Sequence, residues 1–343
     1  MKSSLKHLEK RKNNFKKHIS CGYAFFYNDL TLIKKHYKLF WLCINCQGEA
    51  LNMEKLKIVL KYLVYAFLLS FVLDIGGFFS GIYAEHSGLS EEWLENSQVA
   101  IFFMLISQIT LPIFLMFQYK SRKNDLRIIM PLAKDKKAYR YLIGYAAGAI
   151  FFVLTWIIAV VFGGFQVINI WHIDNVLWLV PFLLGFCIQG MGEEILVRGY
   201  LLGKLSQHLS LASATIISSL FFAALHLANP GITRVAFLEL FLFGAIMAMI
   251  RIETEDLWVV GAFHGAWNFF QGPILGVAVS GTNSGALVFK SIPTQAYEWL
   301  NGGRFGIEGS VMSLTLHVAL FGVIAVWIKL NKNKSKIICE STK

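Results

Sequence analysis

Long apolar stretches separated by short polar segments run through most of this chain. Eight of them approach the roughly 20 apolar residues that a helix needs to cross a bilayer core of about 30 Å. They lie at approximately 58–83, 98–118, 141–163, 175–191, 210–228, 235–250, 257–279 and 309–328. The pattern therefore predicts an all-α fold, a polytopic membrane bundle of about eight transmembrane helices.

Composition agrees with the hydropathy pattern. The 343 residues are 56% hydrophobic and only 15% charged, which is less charge than a soluble domain of this length carries. The net charge of +11 does not indicate a nucleic-acid partner, because the basic residues stand in blocks between apolar stretches. We expect an integral membrane protein that contacts the lipid bilayer and no nucleic acid.

The basic blocks alternate from one loop to the next, which predicts the orientation of the chain. Lys and Arg are frequent before the first stretch, between the second and third, and in the segment KLNKNKSK after the last stretch. The intervening loops AEHSGLSEEWLENSQ and GFQVINIWHIDN contain neither. Both termini are therefore expected in the cytoplasm. Three regions are predicted: a basic extension at 1–52, a membrane domain at 53–330 and a basic tail at 331–343.

Two adjacent carboxylates, Glu193 and Glu194, follow the fourth apolar stretch. Charges within a membrane are costly, so they indicate function, although carboxylates at a membrane interface are the structural alternative. Arg198 comes four residues after Glu194, on the same helical face, and can pair with it. Neighbouring helical residues point about 100° apart, so Glu193 is expected to face a different target.

Two further polar pairs occupy later apolar stretches. His226 lies four residues after Phe222, and His264 and Asn268 have the same spacing. Each histidine taken alone is more often a hydrogen-bonding partner between helices than a catalyst. The predicted spans put His226 near the outer side of the membrane and Glu193 near the cytoplasmic side. The two residues can lie at the same depth in the membrane only if a helix is tilted or interrupted. Three other polar residues are interpreted as packing or snorkelling residues: Asp74, Glu239 and His317.

The ordered set Glu-Glu-x-x-x-Arg, Phe-x-x-x-His and His-x-x-x-Asn resembles the CAAX protease and bacteriocin-processing family, also called CPBP or Abi, of intramembrane endopeptidases. The matching residues are Glu193, Glu194, Arg198, Phe222, His226, His264 and Asn268. The resemblance implies hydrolysis of a peptide bond in a membrane-associated protein or peptide. Eukaryotic members of the family cleave prenylated proteins; for a bacterial source, the resemblance implies a plasma membrane location and a role in bacteriocin immunity or peptide maturation.

The resemblance also implies a role for each motif residue. Glu193 is expected to act as the general base toward a water molecule that His226 also holds. Glu194, paired with Arg198, shapes the site, and Phe222 supports it. The expected oxyanion donors are His264 and Asn268.

Two alternatives stay open. Glu193, His226 and His264 would together make the two-histidine, one-carboxylate set of a catalytic zinc site. The helical His-Glu-x-x-His signature is absent, which favours metal-independent chemistry with no cofactor. A different class of function is a non-catalytic membrane immunity or scaffold protein that binds a peptide or membrane partner through the same cavity.

Overall fold

The computed structural model describes residues 53–88, 97–283 and 285–341. A boundary between two units of the chain lies between Leu56 and Lys57, and the described residues lie almost entirely in the second unit, Lys57–Lys343. The predicted extension at 1–52 lies outside the described residues, and its boundary at residue 53 stays a prediction. The motif residues all lie in the second unit.

Helices make up most of the described chain, as the sequence predicts. The helices are α1 (Met53–Leu73), α2 (Ile75–Ser87), α3 (Gln98–Ser107), α4 (Thr110–Gln118), α5 (Lys123–Ile129), α6 (Lys137–Val161), α7 (Val176–Glu194), α8 (Leu211–Leu225), α9 (Arg234–Thr254), α10 (Leu257–Phe269) and α11 (Val311–Ser341). The π-helical residues Ile195–Leu201 and one α-helical turn, Leu202–Leu205, continue α7, and the π-helical residues Phe270–Ile274 continue α10. The remaining single turns are Ile173–Asn175, Gln295–Tyr297, Glu298–Asn301, Gly303–Phe305 and Ile307–Gly309.

Two short strands pair across a long stretch of chain. The strands β1 (Phe165–Asn169) and β2 (Phe289–Pro293) are antiparallel, with Phe165 opposite Pro293. The sequence predicts only loops here, because each strand is five residues long and its partner is distant in the chain. This small sheet leaves the helical class of the fold unchanged.

Six helical segments of the described chain are long and apolar enough to cross a membrane. They are Met53–Leu73, Gln98–Gln118, Lys137–Val161, Ile173–Leu205, Arg234–Thr254 and Val311–Asn331. Two further predicted spans, 210–228 and 257–279, correspond to the shorter helices α8 and α10. The polytopic helical bundle is therefore confirmed, and the count of eight crossings stays a prediction.

The helix that carries the two carboxylates is longer than the span predicted at 175–191. Its helical residues run from Ile173 to Leu205, since the π-helical segment after Glu194 continues the helix. Glu193 consequently lies about 18 Å from the Leu205 end, at 1.5 Å per residue. The predicted span at 175–191 is therefore shorter than the helix, and the position of Glu193 relative to the membrane stays a prediction. His226 directly follows the 15-residue α8.

Small residues let α10 approach both α6 and α7 closely. Gly144 and Gly148 of α6 lie so close to α10 that a Cβ at either would overlap its backbone. On the other side, a Cβ at Gly190 of α7 would overlap the backbone of Gly265. Small residues at four-residue spacing are typical of close helix packing in membranes. This packing holds His264, the residue before Gly265, against α7.

We expect Gly190→Ala to destabilise the bundle. Because the added methyl would meet backbone rather than a flexible side chain, the two helices must separate, at a cost of about 1–3 kcal/mol. Thermal unfolding of the purified protein in detergent would measure the effect as a lower midpoint. Gly322→Ala is the control, since a Cβ at Gly322 has no neighbour within 4 Å. Equal midpoints for the two variants would contradict the close packing.

Candidate active site

A buried ion pair joins Glu194 and Arg198. The Arg198 Nη1 donates to Glu194 Oε1 at 2.8 Å, and both side chains are 0% exposed. The guanidinium carbon lies 4.3 Å from the centroid of the Phe222 ring, within range of a cation–π interaction. The predicted pairing across one helical turn is therefore confirmed, and Phe222 links the pair to α8.

His264 contacts both glutamates through its two ring nitrogens. Its Nδ1 lies 2.9 Å from Glu194 Oε1, and its Nε2 lies 3.8 Å from Glu193 Oε2. Because an ionised carboxylate only accepts hydrogen bonds, the Nδ1–H is the donor and Nε2 faces Glu193. The prediction that the two glutamates face different targets is wrong. The two nitrogens of one imidazole, on a neighbouring helix, face one glutamate each.

A chain of amides orients Glu193. The Gln189 amide, one turn earlier on α7, donates from Nε2 to Glu193 Oε1. Asn268 donates from Nδ2 to Gln189 Oε1 at 2.8 Å, which fixes the direction of that amide. The Glu193 side chain keeps 17% of its surface exposed, whereas that of Glu194 keeps none. With Oε1 bound, Oε2 is the oxygen of Glu193 that remains for chemistry.

Gln189 is the site residue that the sequence interpretation did not name. An amide in an apolar stretch, four residues before Glu193 and on the same helical face, was the available signal. Its contact with Asn268 joins α7 to α10, and no local pattern predicts such a contact between distant helices.

His226 stands at the end of α8, beside the aromatic wall of the site. Its Nδ1–H donates to the carbonyl oxygen of Phe222 at 2.9 Å, so Nε2 is the ring nitrogen left for another partner. The Phe222 ring centroid lies 4.9 Å from that of His226 and 6.0 Å from that of His264. Among the contacts of the described residues, none joins His226 directly to Glu193.

Phe243 of α9 completes the apolar side of the site. Its ring centroid lies 5.1 Å from that of His264 and 5.9 Å from that of Phe222. These rings keep water away from the Glu194 carboxylate and the Arg198 guanidinium, which strengthens the attraction between the two charges. Glu193 lies at the less enclosed edge of the cluster.

The donors do not form an evident metal centre. Within the described part of the chain, no group of three or more His, Cys, Asp or Glu side chains is arranged to hold a metal ion. The Phe222 ring contacts both imidazoles that a zinc site would require. The choice between metal-independent and zinc chemistry stays a prediction.

A second polar cluster lies between α9 and α11. The His317 Nδ1 is 3.1 Å from Glu239 Oε1, and Ser313 donates to the same oxygen at 3.2 Å. All three side chains are buried. These contacts connect two helices, which agrees with the packing role that the sequence indicates for Glu239 and His317. Asp74, the third such residue, lies at the junction of α1 and α2.

The fold and the cluster together define a helical integral membrane protein with a buried arrangement of carboxylates, imidazole and guanidinium. Residues 175–270 match the family model described as type II CAAX prenyl endopeptidase, Rce1-like. The match confirms the resemblance to the CAAX protease family and includes all three motifs. It indicates an intramembrane protease that acts on peptide substrates. No curated protein matches the chain.

Proposed function

We propose that this chain is an endopeptidase in which Glu193 activates water to hydrolyse a peptide bond of a membrane-associated protein or peptide. The observation that carries the proposal is the separation of 3.8 Å between Glu193 Oε2 and His264 Nε2. The two atoms are too far apart for a hydrogen bond, but one water molecule can contact both.

Glu193 acts as the general base in the proposed reaction. Its Oε2 takes a proton from water while the water oxygen forms a bond to the carbonyl carbon of the substrate. The protonated carboxyl then gives the proton to the leaving nitrogen as the carbon–nitrogen bond breaks. General acid–base catalysis of this kind contributes about 10²–10⁴-fold in rate. The Nε2 of His226 is available to hold the water or the substrate, since its Nδ1–H is occupied.

His264 and Asn268 are the proposed oxyanion donors. Glu194 holds the imidazole through Nδ1, so Nε2 points into the reaction space and is a donor there when it carries a proton. Asn268 uses one amide hydrogen for Gln189 and keeps a second for the substrate. Groups held in place before the reaction stabilise the developing charge without having to reorganise. Arg198 contributes indirectly, because it holds Glu194 and thereby the imidazole.

Gln189→Met should impair the orientation of Glu193. The variant loses a hydrogen bond to a charged group, which is worth about 1.5–3 kcal/mol, so we expect kcat to fall roughly 10- to 100-fold. KM should change little, because the interaction orients the base rather than the substrate. Gln166→Met, at an exposed position of β1, is the control. A rise in KM with unchanged kcat would contradict the positioning role of Gln189.

The proposed cellular setting is a bacterial plasma membrane with both termini in the cytoplasm. The alternating basic loops support cytoplasmic termini, and the family resemblance supports a bacterial plasma membrane and a role in bacteriocin immunity or peptide maturation. Reporter fusions after residue 130 would test the orientation. An outward-facing reporter at that position would contradict it.

A further inference from the structure

A cleft separate from the proposed active site opens beside the end of the long helix. Its volume is about 410 Å³, and α1, the end of α4 and the residues that continue α7 line it. None of the seven motif residues borders it. Three cationic side chains do: Lys61, Arg122 and Lys204.

Two of the cations, Lys204 and Arg122, converge on Asp125 at one side of the cleft. The Lys204 side chain is only 8% exposed, and its Nζ lies 3.5 Å from Asp125 Oδ1. Arg122 Nη1 lies 3.5 Å from the other oxygen of Asp125. Both cations lie over the Tyr119 ring, at 5.2 and 4.5 Å from its centroid. Lys61 also lines the cleft and brings the number of positive charges to three. Asp125 is the one carboxylate beside them, so the net charge is about two positive charges.

The rest of the lining consists of four tyrosines, Gln118 and an apolar part formed by Leu68, Leu69, Val72 and Phe114. The lining residues of α1 extend from Lys61 to Val72. At 1.5 Å per residue that distance is about 16 Å, roughly half of a bilayer core of about 30 Å. Leu68 and Phe114, which also line the cleft, are 54% and 42% exposed. The cleft therefore combines cationic side chains with a partly apolar wall about as long as one leaflet is thick.

We propose that this cleft binds an anionic phospholipid, with its phosphate among Lys61, Arg122 and Lys204 and an acyl chain along Leu68 and Phe114. Basic pockets between transmembrane helices hold anionic head groups, because the cations replace the water that the phosphate loses. A free phosphate ion shares the head-group chemistry but makes no use of the apolar wall. The proposal does not depend on the proposed catalytic function.

Native mass spectrometry of the full chain in detergent would test the proposal, with phosphatidylglycerol and phosphatidylcholine of identical acyl chains as probes. We expect phosphatidylglycerol to be retained about tenfold more strongly or better, given two net charges. Arg122→Gln and Lys61→Gln should each weaken its retention about fivefold. Lys204→Met should weaken the retention of phosphatidylglycerol to a similar extent. Because Lys204 is nearly buried, this variant could fail to fold, in which case the exposed positions Arg122 and Lys61 still test the site. The matched controls are Lys120→Gln and Lys123→Gln, exposed cations that do not line the cleft.

Three results would overturn the proposal. Equal retention of the two lipids would show that the cleft does not recognise the charge of the head group. Equal losses of retention in the variants and in the controls would show that the lipid does not bind at this cleft. Displacement of phosphatidylglycerol by millimolar inorganic phosphate would make the cleft a site for a free anion rather than for a lipid. Glu193→Gln should bind phosphatidylglycerol like the unaltered protein, so failure of the catalytic proposal and failure of this one are distinguishable.

Discussion

Glu193→Gln is expected to lower the rate of peptide hydrolysis by about 10²–10⁴-fold, the contribution of a general base. The substitution preserves the shape of the side chain but removes the oxygen that accepts the proton. KM should change little, because the base acts mainly in the transition state. The measurement is turnover, in proteoliposomes, of a membrane-anchored peptide that the unaltered protein cleaves. The unfolding midpoint of the variant should stay near that of the unaltered protein, since Glu193 is partly exposed and forms no ion pair with Arg198.

Glu298→Gln is the matched control for that experiment, because Glu298 is exposed on a single helical turn away from the motifs. Its turnover should be unchanged. Full activity of Glu193→Gln would contradict the assignment of the base. Stoichiometric zinc in the purified protein, lost in both His226→Ala and His264→Ala, would overturn the metal-independent mechanism.

Arg198→Leu should cause the largest loss of stability. The substitution leaves Glu194 buried without its cation, and breaking a buried ion pair in this way costs about 3–5 kcal/mol in the free energy of unfolding. The lost contact with the Phe222 ring adds to the effect. Denaturant unfolding of the purified protein in detergent measures the change.

Two further variants separate the ion pair from other effects of Arg198→Leu. Arg127→Leu removes an exposed arginine and should change the unfolding free energy by less than about 0.5 kcal/mol. Adding Glu194→Gln to Arg198→Leu should recover part of the loss, because the uncompensated charge is then gone. If the added substitution lowers stability further, the cost of the unpaired carboxylate is not the cause of the loss.

Local periodicity was sufficient to predict the helical fold and the pairing of Glu194 with Arg198. Both depend on residues close in sequence, where the spacing of a helix determines which side chains meet. The same reasoning failed at the end of the fourth span. It took the charged residues Glu193, Glu194 and Arg198 as the end of an apolar stretch, whereas the helix continues to Leu205.

The reason for that failure lies in contacts from other helices. Arg198 is neutralised by Glu194 and covered by the Phe222 ring, so a charge that would end a lone apolar helix is buried inside this one. The shared contact of His264 with both glutamates has the same origin, because it depends on close packing of α10 against α7. The pairing of β1 with β2 is likewise a contact between distant segments. A single sequence does not show which residues of distant segments are in contact.

The catalytic role of Glu193 is tested most directly by comparing the membrane proteomes of cells that carry the unaltered protein, Glu193→Gln or Glu298→Gln. We expect at least one membrane-associated protein or peptide to accumulate uncut only with Glu193→Gln, at equal membrane levels of all three proteins. If the three proteomes contain the same cleavage products at equal levels, Glu193 is not the base of a cellular protease. A non-catalytic immunity or scaffold function would then be the better interpretation of the cluster.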